Sequence, residues 1–312
     1  MSAYLQDLTL RLAGGISHLP IEVREKHTKY LKAAQREDGG FAGRMGDSDL
    51  YYTSFALRAL AILEELDETT TQKAAGFLRA NMQSQQSIVD FFSLIYSSAL
   101  LYALCGVEVF DAADENWDQN VADFLNGLRR EDGGFAKAQE GHAGSTYHTF
   151  LVLLVLQLIG QEIKNPDDIV NFLNNQKNDE GGFREIRAAK RAGTNPTAAA
   201  IATLKILDRL DEKTIDDTME FLLDMQTDEG GLRANTRIPI ADSLSTFTGM
   251  LTIDDLNELH ELELDPLRRF IDSLQLPDGG FRAAEWDDSH DVEYTFYGLG
   301  CLALHENFKH SS

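Results

Sequence analysis

Arg184, Arg187, Lys190 and Arg191 crowd into eight consecutive residues of a chain whose formal charge is -23. Arg187 and Lys190 stand three apart, close enough to converge on one phosphate group, the guanidinium through forked hydrogen bonds and the ammonium as a point charge. The helix expected to start at Thr194 would add unpaired N–H groups and its dipole to their field. One repeat earlier, Gly141-His142-Ala143-Gly144 sets an imidazole beside small residues at the start of another helix. His142 completes an anion pocket if the third and fourth repeats are neighbours. The plainer alternative is a solvated loop with scattered charge.

A second constellation is acidic. Asp291-Val292-Glu293-Tyr294-Thr295 opens the last apolar segment. A carboxylic acid that protonates an alkene must be kept protonated, dry and hydrogen-bonded, and neighbouring acids help to arrange that. A helix-capping Asp with a nearby Glu is the commoner meaning of such a pair. Aromatic residues recur at the first turns of the apolar helices: Tyr51, Tyr52, Tyr96, Tyr147, His148, Phe247, Tyr294 and Phe296. As a set they suit a cavity for a long hydrocarbon and can stabilise positive charge developing on it, although each alone could be ordinary packing.

These residues are spaced by a repeat. Gln35 to Phe41 reads Q-x-x-D-G-G-F, and related text ends at Phe135, Phe183, Leu232 and Phe281. The first glycines, Gly39, Gly133, Gly181, Gly230 and Gly279, are 94, 48, 49 and 49 residues apart. The double interval predicts a degraded copy around Met82-Gln83-Ser84-Gln85, followed by Phe91 and Phe92. Six units of about 48 residues therefore fill residues 1–312 as one domain.

Each unit starts with an amphipathic helix, as in Val121, Phe124, Leu125 and Leu128, or Leu267, Phe270, Ile271 and Leu274. The glycine pair is expected to end that helix in a left-handed conformation. A second helix, apolar almost all round, follows, as at Tyr52 to Leu63, Thr149 to Ile159 and Tyr294 to Leu304. Its starts are expected at Asp49, Ser93, Ser145, Thr194, Asp242 and Asp291, residue types that cap helices. No strand or hairpin signal recurs, so the fold class is all-α. The last unit has no polar capping face, which favours a closed ring, an (α/α)6 toroid, over an open solenoid.

The charge opposes binding to nucleic acid or anionic membranes. Cys105 and Cys301 lie in apolar runs, so no disulfide framework is expected and a cytoplasmic location fits. The N-terminus does not read as a signal peptide, and the longest apolar run, Phe150 to Ile159, is about half the length of a membrane span. No transmembrane segment is expected.

On the repeat, on His142-Ala143-Gly144 and on Arg187-x-x-Lys190, the chain resembles the β subunits of protein prenyltransferases, nearest the Rab geranylgeranyltransferase type, and more distantly squalene-hopene cyclases. The resemblance implies an isoprenoid diphosphate such as farnesyl or geranylgeranyl diphosphate, held by His142, Arg187 and Lys190, and a helical α-subunit-like partner. It also implies a zinc ion, but the three ligand places hold Gly193, Asn195 and Ser245. Shifting the comparison by one unit recovers Asp242 but puts Leu244 and Tyr294 at the others, so no cofactor is expected, and no residue set marks a magnesium site. Asp291-Val292-Glu293-Tyr294-Thr295 partly matches the cyclases' acidic motif, with Glu293 at the proton donor's place. Three functions follow: zinc-independent prenyl transfer, protonation-initiated cyclisation through Asp291 and Glu293, or isoprenoid binding or scaffolding without catalysis.

Overall fold

The structure, a computed structural model, describes residues 4–82, 87–110 and 116–311. Gln83, Ser84 and Gln85 of the degraded repeat copy lie outside the described residues, as does the start of the N-terminus. In chain order the elements are α1 Tyr4–Ser17, α2 Ile21–Ala33, α3 Leu50–Ile62, α4 Glu68–Ala80 and α5 Ile88–Cys105. There follow α6 Trp117–Asn126, α7 Thr146–Leu158, α8 Pro166–Gln176, α9 Thr194–Ile206, α10 Glu212–Leu223 and α11 Ser243–Asp255. A short 3-10 turn leads to α12 Leu264–Ser273, then β1 Phe281–Ala284, β2 Asp287–Asp291 and α13 Val292–Ser311. The chain divides into two compact units, one of residues 1–115 with 271–312 and the other of residues 116–270.

In the first unit α3 packs against α5 and α13, and α1 lies on α13 and α3. Leu50, Leu57, Ala74, Phe77, Leu78, Leu94 and Leu101 join α3, α4 and α5 in one buried cluster. The end of the chain also packs on its start, because His27 Nδ1 accepts from the Gly280 N–H at 3.0 Å and Lys26 Nζ donates to Gln275 at 3.2 Å. In the second unit α9 packs between α7 and α11.

The glycine pairs explain the repeat, though not as helix caps. Gly39, Gly133, Gly181, Gly230 and Gly279 have φ between 89° and 99°, as expected of glycine. They sit in a tight turn several residues past the helix end, however, closed by bonds such as Gly39 N–H to Arg36 O and Gly133 N–H to Arg130 O, both 3.0 Å. The reason for glycine is a neighbour's backbone: a Cβ on Gly133 would stand 2.2 Å from Asp168 O of α8, and one on Gly181 2.2 Å from Asp217 O of α10. The second glycine takes an aromatic ring from the following hairpin, Phe77 on Gly40, Phe172 on Gly134, Phe221 on Gly182 and Phe270 on Gly231.

The acid before the pair braces its own hairpin at Asp38, Asp132 and Glu229. Asp38 accepts from Gly40 N–H and Ser48 Oγ, and Asp132 from Gly134 and Gly144 N–H. A threonine in the second helix then fixes the residue after the pair. Phe41, Phe135 and Phe183 N–H donate to Thr53, Thr149 and Thr197 Oγ1 at 2.9 Å, and Leu232 and Phe281 to Thr246 and Thr295 at 3.0 and 3.3 Å. Replacing Thr197 by Val leaves a buried amide without its acceptor, so chemical denaturation should show a loss of about 1–3 kcal/mol.

Capping residues stand as expected at Asp49, Ser145 and Asp242, each accepting the third backbone N–H of its helix. Asp291 ends β2 but still accepts from Glu293 and Tyr294 N–H. The helix α9 starts at Thr194 as expected, but its cap is Gly193; the start at Ser93 is corrected, since Ser87 caps α5 through a reciprocal box with Asp90. The all-α reading holds, with one small addition: β1 and β2 form an antiparallel hairpin that pairs Phe281 with Asp291. Finally, α5 exceeds Phe150–Ile159 as an apolar segment: its 18 residues suffice by length and composition to cross a membrane. Over half of it is buried, with α3 and α4 packed on it, which is the setting of a core helix.

Candidate functional site

The two loops carrying the basic candidates are built into the second unit by backbone hydrogen bonds. The loop after Phe183 rests on the first turn of α7, where Thr146 N–H donates to Glu185 O at 2.9 Å and Thr146 Oγ1 to Arg184 O at 2.7 Å. The loop holding His142 is strapped by Arg130, whose guanidinium donates to the carbonyls of Gly141, Ala138 and Gln139 at 2.6 to 2.9 Å. Nothing in the sequence distinguished Arg130 from a surface charge.

The four clustered cations then separate into two kinds. Arg184 donates to Lys177 O at 2.9 Å, and Arg191 to Thr236 Oγ1 at 2.8 Å with Glu180 3.6 Å away. Those two hold the loop. Arg187, Lys190 and His142 are exposed, and among the described residues none of the three makes a hydrogen bond or an ion pair. In a chain this acidic, the unpaired side chains of these loops leave their full donor capacity to an external anion.

Beside them lies a network that the sequence did not suggest. Ser145 Oγ is 2.7 Å from His148 Nδ1 and is bonded to the Glu185 carboxyl, while Glu185 also accepts from Tyr147 N–H at 3.4 Å. Burial, with the Lys137 charge, lowers the His148 imidazole to about 4. Burial pushes the Glu185 carboxyl above the usual carboxylate range, against the pull of its hydrogen bonds. A lone acid in a basic loop was the available signal.

In the first unit Glu293 Oε1 accepts from the phenols of Tyr51 at 2.7 Å and Tyr297 at 3.1 Å. Its other oxygen has no hydrogen-bond partner among the described residues. Burial raises Glu293, as does the nearby Asp291 charge. Asp291 is raised by burial too, with Oδ2 unbonded and 3.7 Å from Arg44 Nε. A carboxyl raised by folding favours the native state below its unfolded pKa and loses that contribution as pH rises through the folded value. Glu293→Gln should therefore raise the melting temperature at pH 7.5 and leave it unchanged at pH 4, by calorimetry at both values.

The aromatic candidates divide by unit and by burial. Tyr51 meets Tyr52 and Phe55 edge-on at 5.2 and 4.9 Å, and Phe55 meets Phe296 at 5.7 Å. Tyr294 receives a hydrogen bond from Arg44 at 3.0 Å. Tyr96, Phe247 and Phe296 are buried, Tyr96 with its phenol 2.8 Å from Thr9 Oγ1; Tyr147 is exposed and His148 half-buried. Sequence reasoning missed Arg58, the lone charge of α3. Its guanidinium lies 3.9 Å from the Phe55 ring centre and 4.7 Å from that of Phe296, with Tyr96 and Phe92 within 6 Å. Those ring faces already serve a cation.

The residues at the zinc places do not fit a zinc ion. Gly193 has no side chain, Asn195 Oδ1 accepts from Thr248 Oγ1 at 2.6 Å, and Ser245 Oγ donates to Asp242 at 2.8 Å. Amide and hydroxyl oxygens already bonded inside the protein are poor ligands for this metal. Elsewhere, among the described residues, Glu258, His260 and Glu261 bring possible ligand atoms within 4.8 Å of one another. They lie on a mostly exposed turn, and His260 pairs with both acids at 3.6 and 3.2 Å.

The family model described as "Prenyltransferase alpha-alpha toroid domain" matches residues 5–157, 93–238 and 149–312. Among curated proteins none matches significantly. Of solved structures, protein geranylgeranyltransferase-I of Candida albicans, complexed with GGPP, is similar at 17% identity and a TM-score of 0.71, covering 90% of this chain and 91% of its own. The type II terpene cyclase MstE from Scytonema is similar at 13% identity and 0.61, covering 96% and 98%. An alpha-1,6-mannanase from Salegentibacter is similar at 12% and 0.65, covering 91% and 98%. At such identities the likeness is one of fold, which hosts quite different chemistries in these three proteins.

Proposed function

The chain belongs to the prenyltransferase alpha-alpha toroid family, and on that premise we propose that it binds an isoprenoid diphosphate through His142, Arg187 and Lys190 and transfers the prenyl group without zinc. The observation that carries this reading is the division of labour in the basic loop: Arg184 and Arg191 are spent on structure, while Arg187 and Lys190 are exposed and unbonded among the described residues. A similar solved structure holds GGPP, so a prenyl chain of that length is the first ligand to try. Cations on the diphosphate stabilise charge that grows as the allylic C–O bond breaks, which lowers the barrier to ionisation.

A second reading, cyclisation started by Glu293, has its own support in the raised carboxyl and its free oxygen. Arg58 weighs against it. A guanidinium over Phe55 and Phe296 repels a second cation on the same faces, whereas cyclisation would need those faces for a carbocation. Incubation with geranylgeranyl diphosphate and a panel of acceptors separates the readings, because transfer releases pyrophosphate and proton-started cyclisation keeps the diphosphate on a rearranged chain. A carrier would bind it and release nothing, and a scaffold would not bind it.

A further inference from the structure

The hydrogen bonds at Ser145 restrict where protons can lie. The hydroxyl oxygen accepts from the His148 backbone N–H at 3.1 Å, lies 2.7 Å from His148 Nδ1, and is bonded to Glu185 Oε1. A hydroxyl has one proton and two lone pairs. With one lone pair taken by the backbone, one of the two remaining partners must donate to it and the other must accept. Either a neutral Glu185 donates and Ser145 passes its proton toward Nδ1, leaving the imidazole proton on Nε2, or an ionised Glu185 accepts, Nδ1–H donates to Ser145, and Nε2 is bare. The imidazole tautomer is thus tied to the ionisation of a carboxyl it does not touch.

Capping alone does not explain this arrangement. Ser145 caps α7 with the lone pair that faces His148 N–H, a bond that needs neither the Glu185 carboxyl nor the imidazole. Nor is the imidazole fully engaged, for Nε2 has no hydrogen-bond partner among the described residues. The network shares both loops with the diphosphate site proposed above, since Ser145 is three residues from His142 and Glu185 two from Arg187.

We propose that His148, Ser145 and Glu185 form a proton relay that deprotonates the acceptor of prenyl transfer, a thiol or a phenol. The inference rests on the diphosphate reading and supplies the acceptor class that reading lacks. In the step, the acceptor's sulfur or oxygen forms a bond to the allylic carbon as the carbon–oxygen bond breaks and its electron pair leaves on the diphosphate. The acceptor's proton goes to His148 Nε2, the Nδ1 proton moves to Ser145, and the Ser145 proton moves to Glu185 Oε1. A neutral carboxyl and a neutral imidazole remain. The relay therefore avoids an imidazolium, which burial and Lys137 both oppose, and ends by neutralising a carboxylate that burial already disfavours. Lys137 is the charge that bears on this imidazole, Glu185 reaches it only through Ser145, and Tyr147 is its ring neighbour at 5.4 Å. The relay thus removes the acceptor's proton by base catalysis.

Two measurements on the full chain test this. Nitrogen-15 shifts of the His148 ring should show the Nδ1–H tautomer at pH 8 and conversion to Nε2–H as pH falls and Glu185 takes a proton. Glu185→Gln, whose amide can donate to Ser145, should hold the Nε2–H form throughout. A tautomer indifferent to pH and to Glu185→Gln overturns the relay. In the second measurement geranylgeranyl diphosphate is supplied with benzyl mercaptan or 2-naphthol, both protonated at neutral pH, as the acceptor probe. His148→Gln should lower kcat on the order of 100-fold, the scale of general-base catalysis, with KM for the diphosphate unchanged. In Glu185→Gln the alkaline rise of the rate should flatten. Binding of the diphosphate with kcat untouched by His148→Gln would sink the relay's role and leave the diphosphate site standing. Failure to bind the diphosphate would sink the underlying reading and this role with it.

Discussion

Gly181→Ala should cost the protein about 3 kcal/mol or more, because an alanine there would combine a disfavoured backbone with an impossible contact. Its φ is 89°, where L side chains are rare, and its Cβ would sit 2.2 Å from the carbonyl oxygen of Asp217. The obstacle is backbone of α10, which cannot rotate away as a side chain could. The whole hairpin must shift, and with it the Phe221 ring seated on Gly182. A fall in Tm of roughly 5–10 °C is the expected scale for a chain of this size. Gly76→Ala is the control, since it lies exposed in α4 with nothing within 4 Å of the added carbon. There a helix-favouring residue should be neutral or stabilise by up to about 1 kcal/mol. Equal effects at the two positions would contradict the packing role assigned to the pairs.

The second large effect is on binding. Removing both Arg187 and Lys190 by alanine substitution should weaken geranylgeranyl diphosphate by about 100-fold or more, since each charge-assisted bond contributes roughly 1.5–3 kcal/mol. Neither side chain supports the fold among the described residues, so Tm should hold while affinity falls. Arg184→Ala and Arg191→Ala should behave the other way, loosening the loop by loss of the bonds to Lys177 O and Thr236 Oγ1. Titration calorimetry beside thermal melts reads both quantities. A double variant that binds as tightly as the parent removes Arg187 and Lys190 from the site.

The repeat and its helices were legible because glycine at a backbone crossing is hard to replace, so five of the six repeats carry the mark, 48 or 49 residues apart where consecutive and 94 apart across the copy that lacks it. Why glycine is needed was not legible. The crossing partner lies in the next hairpin, 34 or more residues away, and the sequence alone suggested the nearer explanation of a helix stop. The sequence points to Ser93 rather than Ser87 because the second repeat lacks glycines to set its phase, although Ser87 and Asp90 carry the spacing of a capping box. The β1–β2 hairpin was hidden since its five-residue second strand, Asp287–Asp291, is polar and shows no alternation.

For the candidate site, residue type and spacing singled out His142, Arg187 and Lys190, and the unbonded state of all three among the described residues agrees with a role outside the fold. The division between structural and free cations could not be read, because carbonyl acceptors such as Lys177 O have no side-chain signature. Glu185 and Ser145 belong to different repeats, so their bond follows from hairpin packing alone. Arg58 was the clearest missed signal. One arginine in the otherwise uncharged run from Leu50 to Ile62 needs a partner, and here the partner is a set of ring faces.

An isoprenoid diphosphate is the occupant proposed for this protein, with tail and head recognised together. Titration of the wild-type chain with geranylgeranyl diphosphate, geranylgeraniol and inorganic pyrophosphate tests it most directly. The expected result is one-to-one binding of the diphosphate, at least 100-fold tighter than either half, on the affinity scale that paired cations and a buried chain supply together. Absence of binding, or pyrophosphate binding as tightly as the prenylated ligand, would contradict it.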